Sequence, residues 1–160
     1  MWLSNRRTFL CLSGALLAGC TLQPAHNATS VSGILSSISL ESPRDRKSYY
    51  FRNALEDRLA ANASEPSYRL TYKLSTSANS SAISASGSAL RRQVEGSVTY
   101  MLRDLESKEV VYSQNRNAFV SYSTNGSSAA TQAAARNAER RLMTQLADLV
   151  VRDLTFYGAK

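Results

Sequence analysis

Tyr68-Arg69-Leu70-Thr71-Tyr72-Lys73-Leu74-Ser75 alternates without a break, and that alternation decides the fold. Tyr68, Leu70, Tyr72 and Leu74 point one way; Arg69, Thr71, Lys73 and Ser75 point the other. A strand with one apolar and one polar face belongs to an antiparallel or mixed sheet covered on a single side. The pattern returns downstream. Over a strand at residues 90–102, Val94, Gly96, Val98, Tyr100 and Leu102 share the core-facing parity, whereas Arg91, Gln93, Glu95, Thr99 and, just beyond, Arg103 face away. Gly96, inside a strand, predicts a bulge or a close approach by another backbone. After a polar turn at 104–108, a further strand over 109–123 carries Val110, Tyr112, Ala118, Val120 and Tyr122 in one parity. Gln114 and Arg116 interrupt it, which predicts a bulge or an exposed strand end near Asn115.

The flanks of these strands carry other periods. Residues 33–42 place Ile34, Ser36, Ile38 and Leu40 in one parity and predict a first strand, broken by Ser42-Pro43. A helix follows from Arg44 or Asp45 to residue 61, with Phe51, Leu55 and Leu59 at i, i+4 and i+8. The serine-rich stretch 75–88 has almost no bulky residue and reads as a mobile loop or a long irregular hairpin tip. Asn125-Gly126 is a turn, and Ser127 or Ser128 caps a last helix reaching residue 154. Its first half is alanine-rich; its second half carries Leu142, Leu146, Leu149 and Val150, with Arg136, Glu139, Arg140 and Arg141 pointing outward. The order β-α-β-β-β-α predicts an α+β protein, a two-layer α/β sandwich with two helices packed on one face of a four-stranded mixed sheet. The other sheet face is left polar and open.

Upstream of the domain, Leu17-Ala18-Gly19-Cys20 closes an apolar run that Arg6 and Arg7 precede. A charged start, a short apolar segment and small residues before the cut make a secretory signal. The cysteine directly after Leu-Ala-Gly makes it look like a bacterial lipobox, in which Cys20 is acylated and becomes the first mature residue. A plain signal peptide with an accidental cysteine is the alternative. The run is too short for a spanning helix, which needs ~20 apolar residues. Residues 1–19 thus read as a lipoprotein signal peptide, 20–32 as the lipidated cysteine and a polar tether, and 33–157 as the folded domain. Arg6-Arg7-Thr8-Phe9-Leu10 also resembles a twin-arginine export signal, so the general secretory and twin-arginine routes both stay open.

Cleavage leaves 160 − 19 = 141 residues, enough for one domain with its own core. Loss of Arg6 and Arg7 lowers the formal charge from +7 to +5. For an exported chain, an anionic membrane component or a protein partner explains that charge better than nucleic acid. Cys11 leaves with the signal and Cys20 carries lipid, so no thiol remains for a disulfide, a metal or catalysis. The single histidine, His26, lies on the tether. A Ser-His-Asp or Cys-His site therefore has no imidazole, and zinc-type metal sites have only scattered carboxylates to draw on. Glu56 and Asp57 are adjacent on a helix and diverge by about 100°. Glycine-rich phosphate loops are absent, so no cofactor is implied and the protein is read as non-enzymatic.

What remains is a surface. Arg69 and Lys73 share the polar parity of one strand, Arg91 and Arg103 that of another, and Arg92 and Arg116 join them at strand ends. Guanidinium groups grip phosphates through forked hydrogen bonds, so this face suits a phosphorylated glycolipid. A merely solubilising sheet face is the plainer alternative.

SPRDRKSYYFRNALEDRL (residues 42–59), YRLTYKLST (68–76), VEGSVTYMLRD (94–104) and FVSYSTNGSSAATQAAARNAERRLMTQLADLVVRDL (119–154) together resemble the alphaproteobacterial form of LptE, the lipopolysaccharide-assembly lipoprotein family. None of these segments is a catalytic signature; the resemblance rests on the ensemble and covers nearly the whole mature chain. It implies an outer-membrane lipoprotein, anchored by its lipid and facing the periplasm, that assembles with and plugs the LptD β-barrel so that lipopolysaccharide reaches the cell surface. It also implies lipopolysaccharide contact through basic residues, here the six nominated by strand parity and strand ends. Thr21 after the cysteine fits outer-membrane sorting under the rule for enteric bacteria. The alternative function is an auxiliary lipoprotein of an ABC-type phospholipid-trafficking system, which can also be a small exported α/β domain.

Overall fold

A computed structural model describes residues 29–59, 65–83 and 89–159. The signal 1–19, Cys20, His26 and most of the tether lie outside the described residues, as do the expected helix stop and the last part of the serine-rich stretch. Seven elements follow in order: α1 (Thr29–Ser36), β1 (Ile38–Leu40), α2 (Arg46–Leu59), β2 (Tyr68–Ile83), β3 (Ala89–Asp104), β4 (Val110–Ser123) and α3 (Ser128–Gly158). The sheet has four strands in sequence order, with β1 parallel to β2 and the β2-β3-β4 meander antiparallel. The mixed sheet with its long helices on one side is the predicted α+β sandwich.

The core follows the expected parities. Leu70 on β2 and Val98, Tyr100 and Leu102 on β3 are buried. Above them α2 buries Phe51, Ala54, Leu55 and Leu59, and the Phe51 ring meets Tyr72 edge-on at 4.8 Å. The α3 helix contributes Ala138, Leu142, Met143, Leu146, Ala147, Val150, Val151 and Leu154. Each large side chain so buried stabilises the fold by ~1.5–3 kcal/mol. Leu149 is only half-buried, and Met143 takes the fully buried place instead. The α2 and α3 helices run in the same direction, because Arg46 at the start of α2 pairs with Glu139, and Arg58 near its end pairs with Asp148, further along α3.

Caps fix where the helices begin. Asp45 accepts from the Ser48 backbone N–H at 2.7 Å, and the Ser48 hydroxyl accepts from the Asp45 N–H at 2.9 Å, a reciprocal capping box. Hydrogen bonds from the Ser48 backbone and hydroxyl hold the Asp45 carboxyl below the usual carboxylate range. Ser127 caps α3 by accepting from the Ala130 N–H at 3.2 Å.

Three expectations are corrected and one is narrowed. The strand expected over 33–42 is a helix up to Ser36 and a strand of only three residues, Ile38–Leu40. Leu35, on the last turn of α1, and Ile38, at the start of β1, reach the core, a change of element that the Ile34-Ser36-Ile38 alternation conceals. Of the two readings of the serine-rich stretch, the long irregular hairpin holds: it is strand as far as Ile83, with register shifts beside Ala82. The bulge in β4 falls at Val111, between the Leu102–Tyr112 and Arg103–Val110 pairs, not near Asn115. Val110 is consequently turned out and exposed. Glu139, expected on the surface, is buried beneath Arg46 and Lys47. At Gly96 the ladder runs on unbroken, and the close neighbours are Leu142 and Leu146 of α3.

Candidate functional site

The face of the sheet opposite α2 and α3 is a set of cross-strand rows fixed by the register. Ser39, Arg69 and Arg103 form the first, followed by Thr71, Met101 and Ser113, then by Lys73, Thr99 and Asn115. Ser75, Ser97 and Asn117 come next, then Ser77, Glu95 and Phe119, then Asn79, Gln93 and Ser121. These residues are exposed or half-exposed, and most are hydroxyl or amide side chains. In the third row the Asn115 amide donates to the Thr99 hydroxyl at 2.7 Å.

The register divides the six nominated cations. Arg69 and Arg103 are direct cross-strand partners, both exposed, at the end of the face next to the β3–β4 turn. Directly opposed side chains have Cβ atoms ~5 Å apart, and like charges there repel. Arg103 is held by donating to the Lys108 carbonyl at 2.5 Å, while Arg69 has no hydrogen-bond or ion-pair partner among the described residues. The turn itself is pinned by Asp104, whose Oδ1 accepts from the Glu106 and Ser107 N–H groups at 2.8 and 2.9 Å. Lys108 sits there with φ of 62°, in the left-handed region. Lys73 stands two rows further on, exposed and also without such a partner among the described residues. Arg91 belongs to the same face at its far end, paired with Ser123 across the ladder.

Arg92 and Arg116 are not part of this face. Arg92 pairs with Ser80 and Tyr122, on the parity that α3 covers lower down. Arg116 lies beneath α3, where its Nε and a terminal nitrogen donate to the two Asp153 carboxylate oxygens at 2.6 and 3.1 Å. The buried Tyr100 hydroxyl donates to Asp153 at 2.7 Å. Burial by itself pushes the Asp153 carboxyl up, but the Arg116 and Tyr100 hydrogen bonds, with the Arg116 charge, hold it below the usual carboxylate range. Burial and the Asp153 hydrogen bond push the Tyr100 phenol far above its ordinary value. This trio ties α3 to β3 and β4; it is an internal clamp, not a ligand site. The sequence carried a trace of it. Asp153 follows Leu146 by seven residues and Val150 by three, so a carboxylate on that stripe requires a buried partner.

Sequence reasoning also passed over Phe119, whose ring is 63 % exposed on the open face. Its neighbours Ser75, Ser77, Glu95, Ser97 and Asn117 line a depression of about 410 Å³ with it. Among the described residues no group of three or more His, Cys, Asp or Glu side chains converges as a metal site would require. No helix among them is long and apolar enough to cross a membrane. The face can therefore offer hydrogen bonds, one aromatic ring and, at one end, paired positive charge.

Residues 35–154 match the family model LptE, described as lipopolysaccharide-assembly. None of the curated proteins matches the chain in sequence. Among solved structures, a lipoprotein of Caulobacter crescentus CB15 superposes with a TM-score of 0.67 at 24% identity, over 81% of this chain and 96% of that one. The rare lipoprotein B of Shewanella oneidensis gives 0.59 at 11% identity, over 77% and 95%. A minor lipoprotein of Acinetobacter baumannii gives 0.52 at 13%, over 75% and 89%. At these identities the structural likeness is one of fold.

Proposed function

The chain belongs to the LptE family of lipopolysaccharide-assembly proteins, and from that premise we propose that it assembles with, and plugs, an LptD-like outer-membrane β-barrel. The family is one of assembly lipoproteins and not of enzymes. In the proposed arrangement Cys20 carries the lipid, the chain is anchored at the outer membrane facing the periplasm, and the barrel delivers lipopolysaccharide to the cell surface.

One observation supports the plug reading above the rest: a full sheet face left bare and lined by Ser, Thr and Asn side chains. The lumen of an outer-membrane barrel is polar and hydrated, and a surface of this kind suits it. The unpartnered Arg69 beside Arg103 supports contact with an anionic group of lipopolysaccharide, because a phosphate between two opposed guanidinium groups relieves their repulsion. Lys73 extends the same positive end.

Affinity purification of the lipidated protein from membranes tests the plug reading, and a large outer-membrane barrel should be recovered with it. Recovery of inner-membrane permease components and phospholipid instead would move the protein to a phospholipid-trafficking system. For the ligand, Arg69→Ala together with Arg103→Ala should weaken lipopolysaccharide binding, and the difference from the unsubstituted protein should shrink as salt is raised. Equal binding by both proteins at every salt concentration would reduce the pair to solubilising charges.

A further inference from the structure

The middle of the open face has a chemistry different from its basic end. Ser75, Ser97 and Asn117 form one cross-strand row there, and Ser77, Glu95 and Phe119 form the next. Strand spacing and the two-residue repeat make this grid roughly 10 Å across the strands and roughly 7 Å along them. Beneath it Gly96 is backed by Leu142 and Leu146, so the depression is a closed dish and not a channel. Short serine side chains form a low floor beside the Phe119 ring, which stands exposed among polar groups.

We propose that this dish is a saccharide site, with a footprint that one or two neutral pyranose rings fill. A pyranose presents an apolar C–H face and a rim of hydroxyls, each of which donates and accepts. The Phe119 ring matches the first property. The Ser75, Ser77 and Ser97 hydroxyls and the Asn117 amide both donate and accept, and Glu95 adds acceptors, so together they match the second. Glu95 Oε1 already accepts from Gln93 Nε2 at 3.0 Å, which steadies the carboxylate and leaves its other oxygen available. No cation lines the dish, and its one charged side chain is Glu95. Glu95 therefore repels phosphate within the dish, and the cations that draw it lie outside: Lys73 in the neighbouring row, and Arg69 and Arg103 three rows away. The site needs no barrel partner.

The full lipidated chain, held in a detergent without a sugar head group, is titrated with methyl glucoside, methyl galactoside, methyl mannoside and their disaccharides. Saturation-transfer NMR should show at least one of them receiving magnetisation through its ring C–H protons. Phe119→Ala should remove that transfer and lower affinity roughly tenfold; Phe119→Trp should keep it, and Asn117→Ala should weaken it. Circular dichroism of the variants should be unchanged, since Phe119 is a surface ring. In a Lys73→Ala background glucose 6-phosphate should bind no more tightly than glucose, and Arg69→Ala with Arg103→Ala should leave neutral-sugar binding as it was. In the same detergent, micelles doped with monogalactosyl diacylglycerol should displace methyl galactoside from the Phe119 ring where undoped micelles do not, distinguishing a lipid-borne sugar from a free one. Failure of every sugar to bind, or transfer that survives Phe119→Ala, would overturn the proposal. So would a barrel contact at Phe119 in the absence of sugar binding. Failure of the barrel pull-down would leave it standing.

Discussion

At the residue scale the tightest constraint is the absence of a side chain at Gly96. A Cβ there would lie 2.9 Å from Leu142 Cδ2 and 3.2 Å from Leu146 Cδ1, both inside the core. Gly96→Ala should therefore cost about 1–3 kcal/mol by overpacking, despite alanine's lower backbone entropy cost. Urea denaturation measures it, and Leu142→Ala in the same chain should return part of the loss, since the two positions share one volume. The Asp153 clamp gives a second expectation. Its folded pKa lies below the ordinary 3.8, so its contribution is fully present above pH ~4 and is lost as pH falls through the folded value. Asp153→Asn should cost about 1–3 kcal/mol at pH 7, less than a sealed ion pair because Arg116 is 37% exposed. The stability gap between pH 7 and pH 3 should also narrow in that variant. A gap as wide as in the unsubstituted protein would mean other carboxylates carry the acid sensitivity.

At the element scale, the β2–β3 hairpin outgrows the helices that cover it. Ser77, Ala78, Asn79 and Ser80 are all exposed, and so are Arg91 and Arg92, so both faces of this arm meet solvent. A strand without a buried face has a weakly held register, and the shifts beside Ala82 agree with that. Hydrogen exchange should find the amides of residues 77–80 opening well before those of residues 70–74, where Leu70 is fully buried beneath the helix layer. Equal protection would mean that pairing alone stabilises the arm. The same absence of contrast explains what could be read in the sequence. Tyr68 to Ser75 announced its strand because large apolar and polar residues alternate; 75–82 has only small side chains, nearly all polar, and a period of two leaves no mark on them. Phe51, Leu55 and Leu59 marked α2, and Ser127 marked the start of α3, because periodicity and caps are local signals. The β1 segment failed for the opposite reason: three residues are too few to establish any period against a preceding helical turn.

For the whole molecule, the open polar face was legible from strand parity alone, whereas the assignment of cations to it was not complete. Arg69, Lys73, Arg91 and Arg103 fall on it because their parity is unbroken. Arg116 escaped because its partner, Asp153, comes 37 residues later on another element, a pairing no local pattern can report. Phe119 escaped because a large aromatic on the polar parity looks like an exception to the alternation until its row-mates are known. The common direction of α2 and α3 has a last consequence. Each helix carries a fractional positive charge at its amino end and a fractional negative charge at its carboxyl end. Side by side and unopposed, the two add, and both positive ends face the arm while the negative ends face the β1 end where the chain enters. The protein is thus electrically lopsided along its length, independent of its net charge. Because counter-ions blunt such a field beyond ~8 Å at physiological salt, it acts only in the final stage of an encounter. There it sets which end of the molecule arrives first at an anionic surface.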